Sequence, residues 1–300
     1  MPFLTIFSAP KPFSDPHIDI IQRNAIQSWL HLGSDTQVFL VGEEPGLEEV
    51  AREYGVELLA DVERNQAGTP LVSSIFELVR QACDSPLMVY VNADILLLPD
   101  IVDAARQAAD QASEFLMVGQ RWDLDLRHKF DFATGWEQRL RNEVKARGRK
   151  HLPAGSDYFV FPHQTFTDIP DFAIGRAGWD NWMIYHARQQ GWLLIDGTPS
   201  ITAIHQDHDY SHLLGGKPHY EQQESFDNEE MAGGSANLYM VLDSQVELRN
   251  GRLVSPTPSL VRSLRRAELL LTPADGKREG LRWSLARQLR RARRRLTGSL

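Results

Sequence analysis

The chain has 300 residues, 42% of them hydrophobic, and a formal net charge of −8. That is enough apolar content to bury a substantial core, and no run approaches the ~18 uninterrupted apolar residues of a membrane span. The one cysteine, Cys83, excludes an internal disulfide and reads as a small buried hydrophobe on a helix.

The charge is unevenly spread. Residues 277 to 300 hold nine basic residues and one acid, so this tail carries +8 and residues 1 to 276 carry −16. An acidic body of this kind disfavours nucleic acid as a general partner. The opening residues MPFLTIFSAP lack a basic segment and a long apolar stretch. They read as a first strand rather than a secretory signal, and a cytoplasmic location is the expectation.

Strands and helices then alternate. Phe3 to Phe7 is a short apolar strand ending at Ser8-Ala9-Pro10. Asp19 to Leu32 has helical apolar spacing. Gln37 to Val41 is a strand, Leu47 to Tyr54 a helix stopped by Gly55, and Val56 to Leu59 a third strand. A polar loop covers 61 to 69, and Pro70 opens a helix to Ala82. Leu87 to Val91 is a fourth strand, a helix starts at Pro99 or Asp100, and Phe115 to Val118 is a fifth strand. This order predicts an α/β domain with a mostly parallel central sheet and helices on both faces. No GxGxxG or GxxxxGK[ST] segment is present, which disfavours dinucleotide binding and P-loop chemistry.

The second half is less regular. Gly135 to Lys150 reads as a charged surface helix and Tyr158 to Phe161 as a strand. Asp180 to Gln190 reads as a helix, and Trp192 to Ile195 and Ile201 to Ile204 as strands. Residues 215 to 237 read as a flexible loop.

Three segments carry candidate chemistry. Asn92-Ala93-Asp94 ends the apolar run LMVYV, where a carboxylate points into a ligand crevice or merely caps a turn. Gly178-Trp179-Asp180-Asn181-Trp182 puts a carboxylate beside aromatic rings at a helix start. It reads either as a helix cap with packed tryptophans or as a general base whose pKa is raised by its apolar neighbours. IHQDHDYSH, residues 204 to 212, gathers three histidines and two aspartates after a strand. Imidazole and carboxylate together suit Mn, Zn or Fe, and a solvated polar loop is the other reading. His205 and His208 lie nearest the strand end and are preferred as ligands over His212 and His219.

Taken together, these three segments resemble the GT-A fold glycosyltransferases, the nucleotide-diphospho-sugar transferase superfamily, over residues 1 to 245. The resemblance implies that Asp94 is a metal carboxylate, Asp180 the base of an inverting transfer, and His205 or His208 a late metal ligand, with Mn²⁺ or Mg²⁺ as cofactor. It also implies donor contacts from Ser8, Ala9, Pro10, Asp61, Thr69, Asn92, Ala93, Asp94 and Arg121, although Arg121 equally suits a surface ion pair. Acceptor contacts would come from Asp157, Trp179 and Asn181. The implied donor is a nucleotide-diphospho-sugar, and the acceptor a hydroxyl on a glycan or lipid-linked glycan, by analogy in polysaccharide biosynthesis. Asn92 departs from the family pattern, which has an aspartate there.

Two other readings compete. One is a metal-dependent hydrolase built on His205, Asp207 and His208. The other is a catalytically silent nucleotide-sugar-binding protein. Residues 246 to 300 read as a C-terminal extension whose basic amphipathic helix, with Leu281, Leu285, Leu289 and Leu296 near one face, suits an anionic membrane surface at the inner face of the membrane.

Overall fold

A computed structural model describes residues 1–208, 222–273 and 279–297. In chain order its elements are β1 (Leu4–Ser8), α1 (Pro16–Leu30), β2 (Thr36–Val41), α2 (Leu47–Tyr54), β3 (Glu57–Leu59), α3 (Val72–Ala82), β4 (Leu87–Val91), β5 (Ile95–Leu97), α4 (Asp100–Ala109), β6 (Phe115–Val118), β7 (Trp122–Leu124), α5 (Trp136–Arg147), β8 (Arg149–Lys150), β9 (Tyr158–Pro162), α6 (Trp179–Gln189), β10 (Leu193–Asp196), β11 (Ala203–Gln206), α7 (Gln223–Met231), β12 (Val246–Arg249), β13 (Arg252–Val254), α8 (Leu260–Leu271) and α9 (Gly280–Thr297).

Nine strands form the central sheet in the order β13-β12-β10-β6-β9-β4-β1-β2-β3. The pairs β1/β2, β1/β4, β2/β3, β6/β10 and β10/β12 are parallel, whereas β9 runs antiparallel between β4 and β6. Because β9 is reversed, it begins where β4 ends. Val91 pairs with Tyr158, and this sets Asp157 beside Asn92.

Alternation along the strands splits the core into two layers. In β4, Leu87, Val89 and Val91 pack with α1, α2 and α4, while Met88 and Tyr90 face the aromatic layer under α3 and α6. Full burial of each such side chain contributes roughly 1.5–3 kcal/mol. A second, four-stranded sheet, β5-β11-β7-β8, lies beyond the carboxyl end of β4. It covers a third apolar cluster with α5, through Leu96, Leu124 and Ile204.

Several expectations change. Helix α3 starts at Val72, because Pro70 is taken by a bridge to Arg64. The stretch expected to be a loop contains α7 and a 3-10 turn at Ser235–Asn237, and residues 209–221 lie outside the described residues. The small sheet arises from runs too short to carry a strong pattern. The central sheet also continues past residue 245 through β12 and β13. No helix among the described residues is long and apolar enough to cross a membrane.

Candidate active site

The small sheet builds one half of the site. In β11, His205 pairs with Ile95 of β5 on one side and with Asp123 of β7 on the other. Pleating sends the neighbouring Ile204 into the third apolar cluster, so His205 faces the opposite way. The backbone N–H of Gln206 donates to the carbonyl of Asp94 at 3.1 Å, which fixes Asp94 against the end of β11. Buried Gln206 is itself held by Asn24 and by the carbonyl of Ile21.

Asp94, His205 and His208 converge. Asp94 Oδ2 lies 3.1 Å from His208 Nε2 and 3.9 Å from His205 Nε2. One donor atom from each falls within 4.8 Å of the others, a spacing a single cation can bridge. The other Asp94 oxygen, Oδ1, is buried and has no hydrogen-bond partner among the described residues. A buried, unsatisfied carboxylate oxygen is costly, so the donor set fits a divalent metal ion.

The electrostatics favour a charged cluster. Burial opposes the ionisation of Asp94, but the hydrogen bond with His208 and the charges of His205 and Lys11 outweigh it. The carboxyl is held well below the usual range. Burial likewise opposes protonation of His205, yet Asp123, Asp207 and Asp94 raise it to about 9, and a cation bound there would take the place of that proton. His205 Nδ1 sits 3.4 Å from Asp123 Oδ1 and 3.7 Å from Asp207 Oδ1.

The other half comes from the ends of β4, β6 and β9. Asp157 is buried; its Oδ1 accepts from Asn92 Nδ2 at 2.9 Å and from Arg121. The hydroxyl of Tyr90 donates to Asn92 Oδ1 at 3.1 Å. Burial raises the Tyr90 pKa, and the charges of Asp94, Asp157 and Asp180 raise it further, so all three carboxylates act on one phenol. Asp180 occupies the second position of α6, after Gly178, whose φ of 112° few other residues adopt. A Cβ on Gly155 would lie 3.9 Å from Asp180 Oδ2, so the loop leading to Asp157 passes close to this carboxylate. Burial, and then the Asp157 charge, push Asp180 up to about 6 against backbone N–H donors.

The remaining expected residues divide. Ser8 ends β1 and is buried, its hydroxyl without a partner among the described residues. Ala9 is half-buried and Pro10 buried at the same strand end. Ala93 is half-buried between Asn92 and Asp94. Asp61 is exposed after β3, and the amide of Thr69 is held by Asn65 Oδ1. Both amide groups of Asn92 are engaged inside the protein, by Tyr90 and Asp157.

Arg121 takes the ion-pair role that was one of its two readings, on Asp123 and Asp157. Two other residues do work other than that expected. Trp179 is only 5% exposed and packs edge-on against Tyr90, so it is core rather than an acceptor platform. The side-chain amide of Asn181 donates to the carbonyls of Ala154 and Tyr239 and so ties loops together. The hydrolase set is also divided, because His208 joins Asp94 while Asp207 groups with Asp123 and His205 and pairs with Arg149. His212 and His219 lie outside the described residues.

Sequence reading missed Asp123, His151 and Lys11. Asp123 bonds His151 Nδ1 at 2.8 Å as well as facing His205. The alternation of WDLDL at 122 to 126 is the strand signal that exposes it. Lys11 is half-buried near Asp94, and burial lowers its pKa against the pull of that charge.

No protein-family model matches the sequence, and no curated protein matches it either. Solved structures do. The chain is similar to S. aureus TarS 1–349, solved in complex with UDP-GlcNAc, at 11% identity and a TM-score of 0.50, over 90% of this chain and 72% of that one. It also matches the mannosyltransferase PcManGT from Pyrobaculum calidifontis, in complex with GDP-Man and Mn²⁺, at 13% identity and a TM-score of 0.48, over 100% and 76%. Glucosyl-3-phosphoglycerate synthase from Mycobacterium tuberculosis, with Mn²⁺, UDP-Glc and phosphoglyceric acid, matches at 14% identity and a TM-score of 0.47, over 86% and 88%. The fold of this chain is GT-A-like, with Asp94 just past the carboxyl end of β4 and His205 and His208 beside it.

Proposed function

We propose that this chain is a glycosyltransferase that moves a sugar from a nucleotide-diphospho-sugar to a hydroxyl acceptor, a glycan or lipid-linked glycan, with inversion at the anomeric carbon. The observation that carries the proposal is the placing of two chemically different acidic sites about Tyr90, whose hydroxyl bonds Asn92 near Asp94 and whose ring packs on Trp179 beside Asp180. One is Asp94, held ionised beside His205 and His208. The other is Asp180, raised to about 6. Pairs of carboxylates driven apart in pKa are how one site supplies both charge stabilisation and proton transfer.

In this reading Asp180 accepts the proton of the acceptor hydroxyl. The acceptor oxygen forms the new bond to the anomeric carbon as the bond to the diphosphate breaks, and the nucleoside diphosphate departs with the electron pair. A base that titrates at about 6 is ionised at neutral pH and still basic enough to help. Asp94, His205 and His208 would hold Mn²⁺ or Mg²⁺, which when bound supplies Lewis-acid stabilisation to the leaving diphosphate. Asp123 and Asp207 face His205 Nδ1 at 3.4 and 3.7 Å, the place where carboxylates stand behind metal-binding imidazoles. Asn92 replaces the acidic residue of the family pattern. Its amide is complementary to Asp157, where an aspartate would set two like charges together.

The test is product stereochemistry. Proton NMR of the transferred sugar is expected to give the anomer opposite to that of the donor. Retention would overturn the inverting mechanism, and hydrolysis of simple phosphoesters with no acceptor would favour the hydrolase.

A further inference from the structure

The basic helix α9 is the one sequence feature that the transfer reaction does not use. Its sequence, GLRWSLARQLRRARRRLT, has seven arginines and no acid. Of its leucines only Leu289 is half-buried, and Leu281, Leu285 and Leu296 are exposed. Its inward face is Ala286 and Arg293, which are buried, together with Arg290. Arg290 and Arg293 pair with Glu268 of α8 at 2.7 and 3.0 Å, and Glu268, fully buried, also receives Arg265. Helix α8 is in turn fastened to the sheet side by Arg262 on Asp196 and by Arg265 on Asp243. The helix is therefore held to the body mainly by charge, and Leu281, Leu285 and Leu296 are left outside.

Those leucines form a stripe. Leu281, Leu285 and Leu296, spaced by four and eleven residues, fall on one face of a 3.6-residue helix. They are 76%, 39% and 54% exposed, and Leu270 at the end of α8 is 77% exposed. Arg282, Arg287, Arg291, Arg294 and Arg295 are exposed on the rest of the helix. An exposed apolar stripe with cationic flanks matches a surface that is apolar just beneath a layer of negative charge. We propose that α9 docks this chain on an anionic lipid bilayer, with the leucine stripe entering the interface and the exposed arginines meeting the headgroups. Residues 1 to 276 carry −16, so the same surface repels the body and only the helix face can approach. The leucines favour a bilayer over RNA, which offers charge but no apolar layer along its backbone. The proposal does not depend on the transfer reaction, because its readout is binding.

The experiment is co-sedimentation of the full chain with vesicles containing phosphatidylglycerol, and with vesicles of phosphatidylcholine alone. Binding is expected only to the anionic vesicles and should weaken as salt rises. Replacing Arg291 and Arg295 by glutamine lowers the partition coefficient about thirtyfold, from about fivefold per arginine. Replacing Leu281, Leu285 and Leu296 by serine changes no charge and is expected to lower it at least tenfold. These side chains are exposed, so circular dichroism and melting temperature should stay at the wild-type values. Absence of binding to anionic vesicles would overturn the proposal. So would leucine-to-serine protein that binds undiminished, since attraction would then be to any polyanion, RNA included. A leucine-dependent dimer in sedimentation equilibrium that leaves vesicles unbound would assign the stripe to a second copy instead.

Discussion

Asp180→Asn separates the proposed base from a helix cap, because the two roles predict stability changes of opposite sign. Burial and Asp157 raise the Asp180 pKa from 3.8 to about 6. Between these values the folded protein binds more protons than the unfolded chain, so folding stability falls as pH rises through this window. Above pH 6 the cost is fully present, roughly 3 kcal/mol for a shift of about two units. Asparagine fills the same space and carries no charge. The variant is therefore expected to be more stable than wild type at pH 8, by up to ~3 kcal/mol less whatever the lost backbone hydrogen bonds were worth. At pH 3 the two should be equal. A cap residue predicts the reverse, a loss of about 1 kcal/mol. Activity should fall by 10²–10⁴, and wild-type kcat/KM should rise with pH up to about 6 and then level. Urea melts at pH 3 and pH 8, with transfer rates from pH 5 to 8, provide the data. A variant that is less stable at pH 8 and keeps its activity would refute the base assignment.

Four further outcomes follow from particular contacts. Asp94→Ala is expected to abolish Mn²⁺ binding in titration calorimetry, and His208→Ala to weaken it, whereas Arg121→Lys should leave it largely intact. Asn92→Asp sets a carboxylate against Asp157 Oδ1 where the amide now donates at 2.9 Å, and should cost ~1–3 kcal/mol in a denaturant melt. Adding Asp157→Asn should recover most of it. Glu224 accepts from Asn65 and Arg176 and so ties the loop holding Thr69 to the loop before Asp180. Glu224→Ala should raise the donor KM more than it lowers kcat, and Glu224→Gln should recover part of the loss. Glu268→Ala leaves buried Arg293 without its carboxylate, while Arg265 keeps Asp243, and should cost about 3–5 kcal/mol, with limited proteolysis releasing α9 first.

The parallel half of the fold was legible because its strands are apolar on both faces and its helices are amphipathic. Leu87 to Val91 and Leu47 to Tyr54 were read to the residue. The small sheet was not, because Ile95–Leu97 and Trp122–Leu124 are three-residue strands that only pairing defines. In the site, the convergence of Asp94, His205 and His208 was anticipated from residue type and position after strands. The role of Arg121 was open, since its partner Asp157 arrives through an antiparallel strand 36 residues later. Trp179 misled because a tryptophan beside a carboxylate reads alike in a sugar site and in a core, and only its burial against Tyr90 decides.

The central claim is nucleotide-sugar binding that depends on a divalent cation, and thermal shift tests it most directly. Purified protein would be melted against UDP-, GDP-, CMP- and dTDP-sugars, each with and without Mn²⁺. A ligand present at a hundred times its dissociation constant stabilises by about 2.7 kcal/mol. A rise in melting temperature for one nucleotide class, present with Mn²⁺ and absent in Asp94→Ala, is the predicted result. A rise with Mn²⁺ alone and none with any nucleotide-sugar would contradict it.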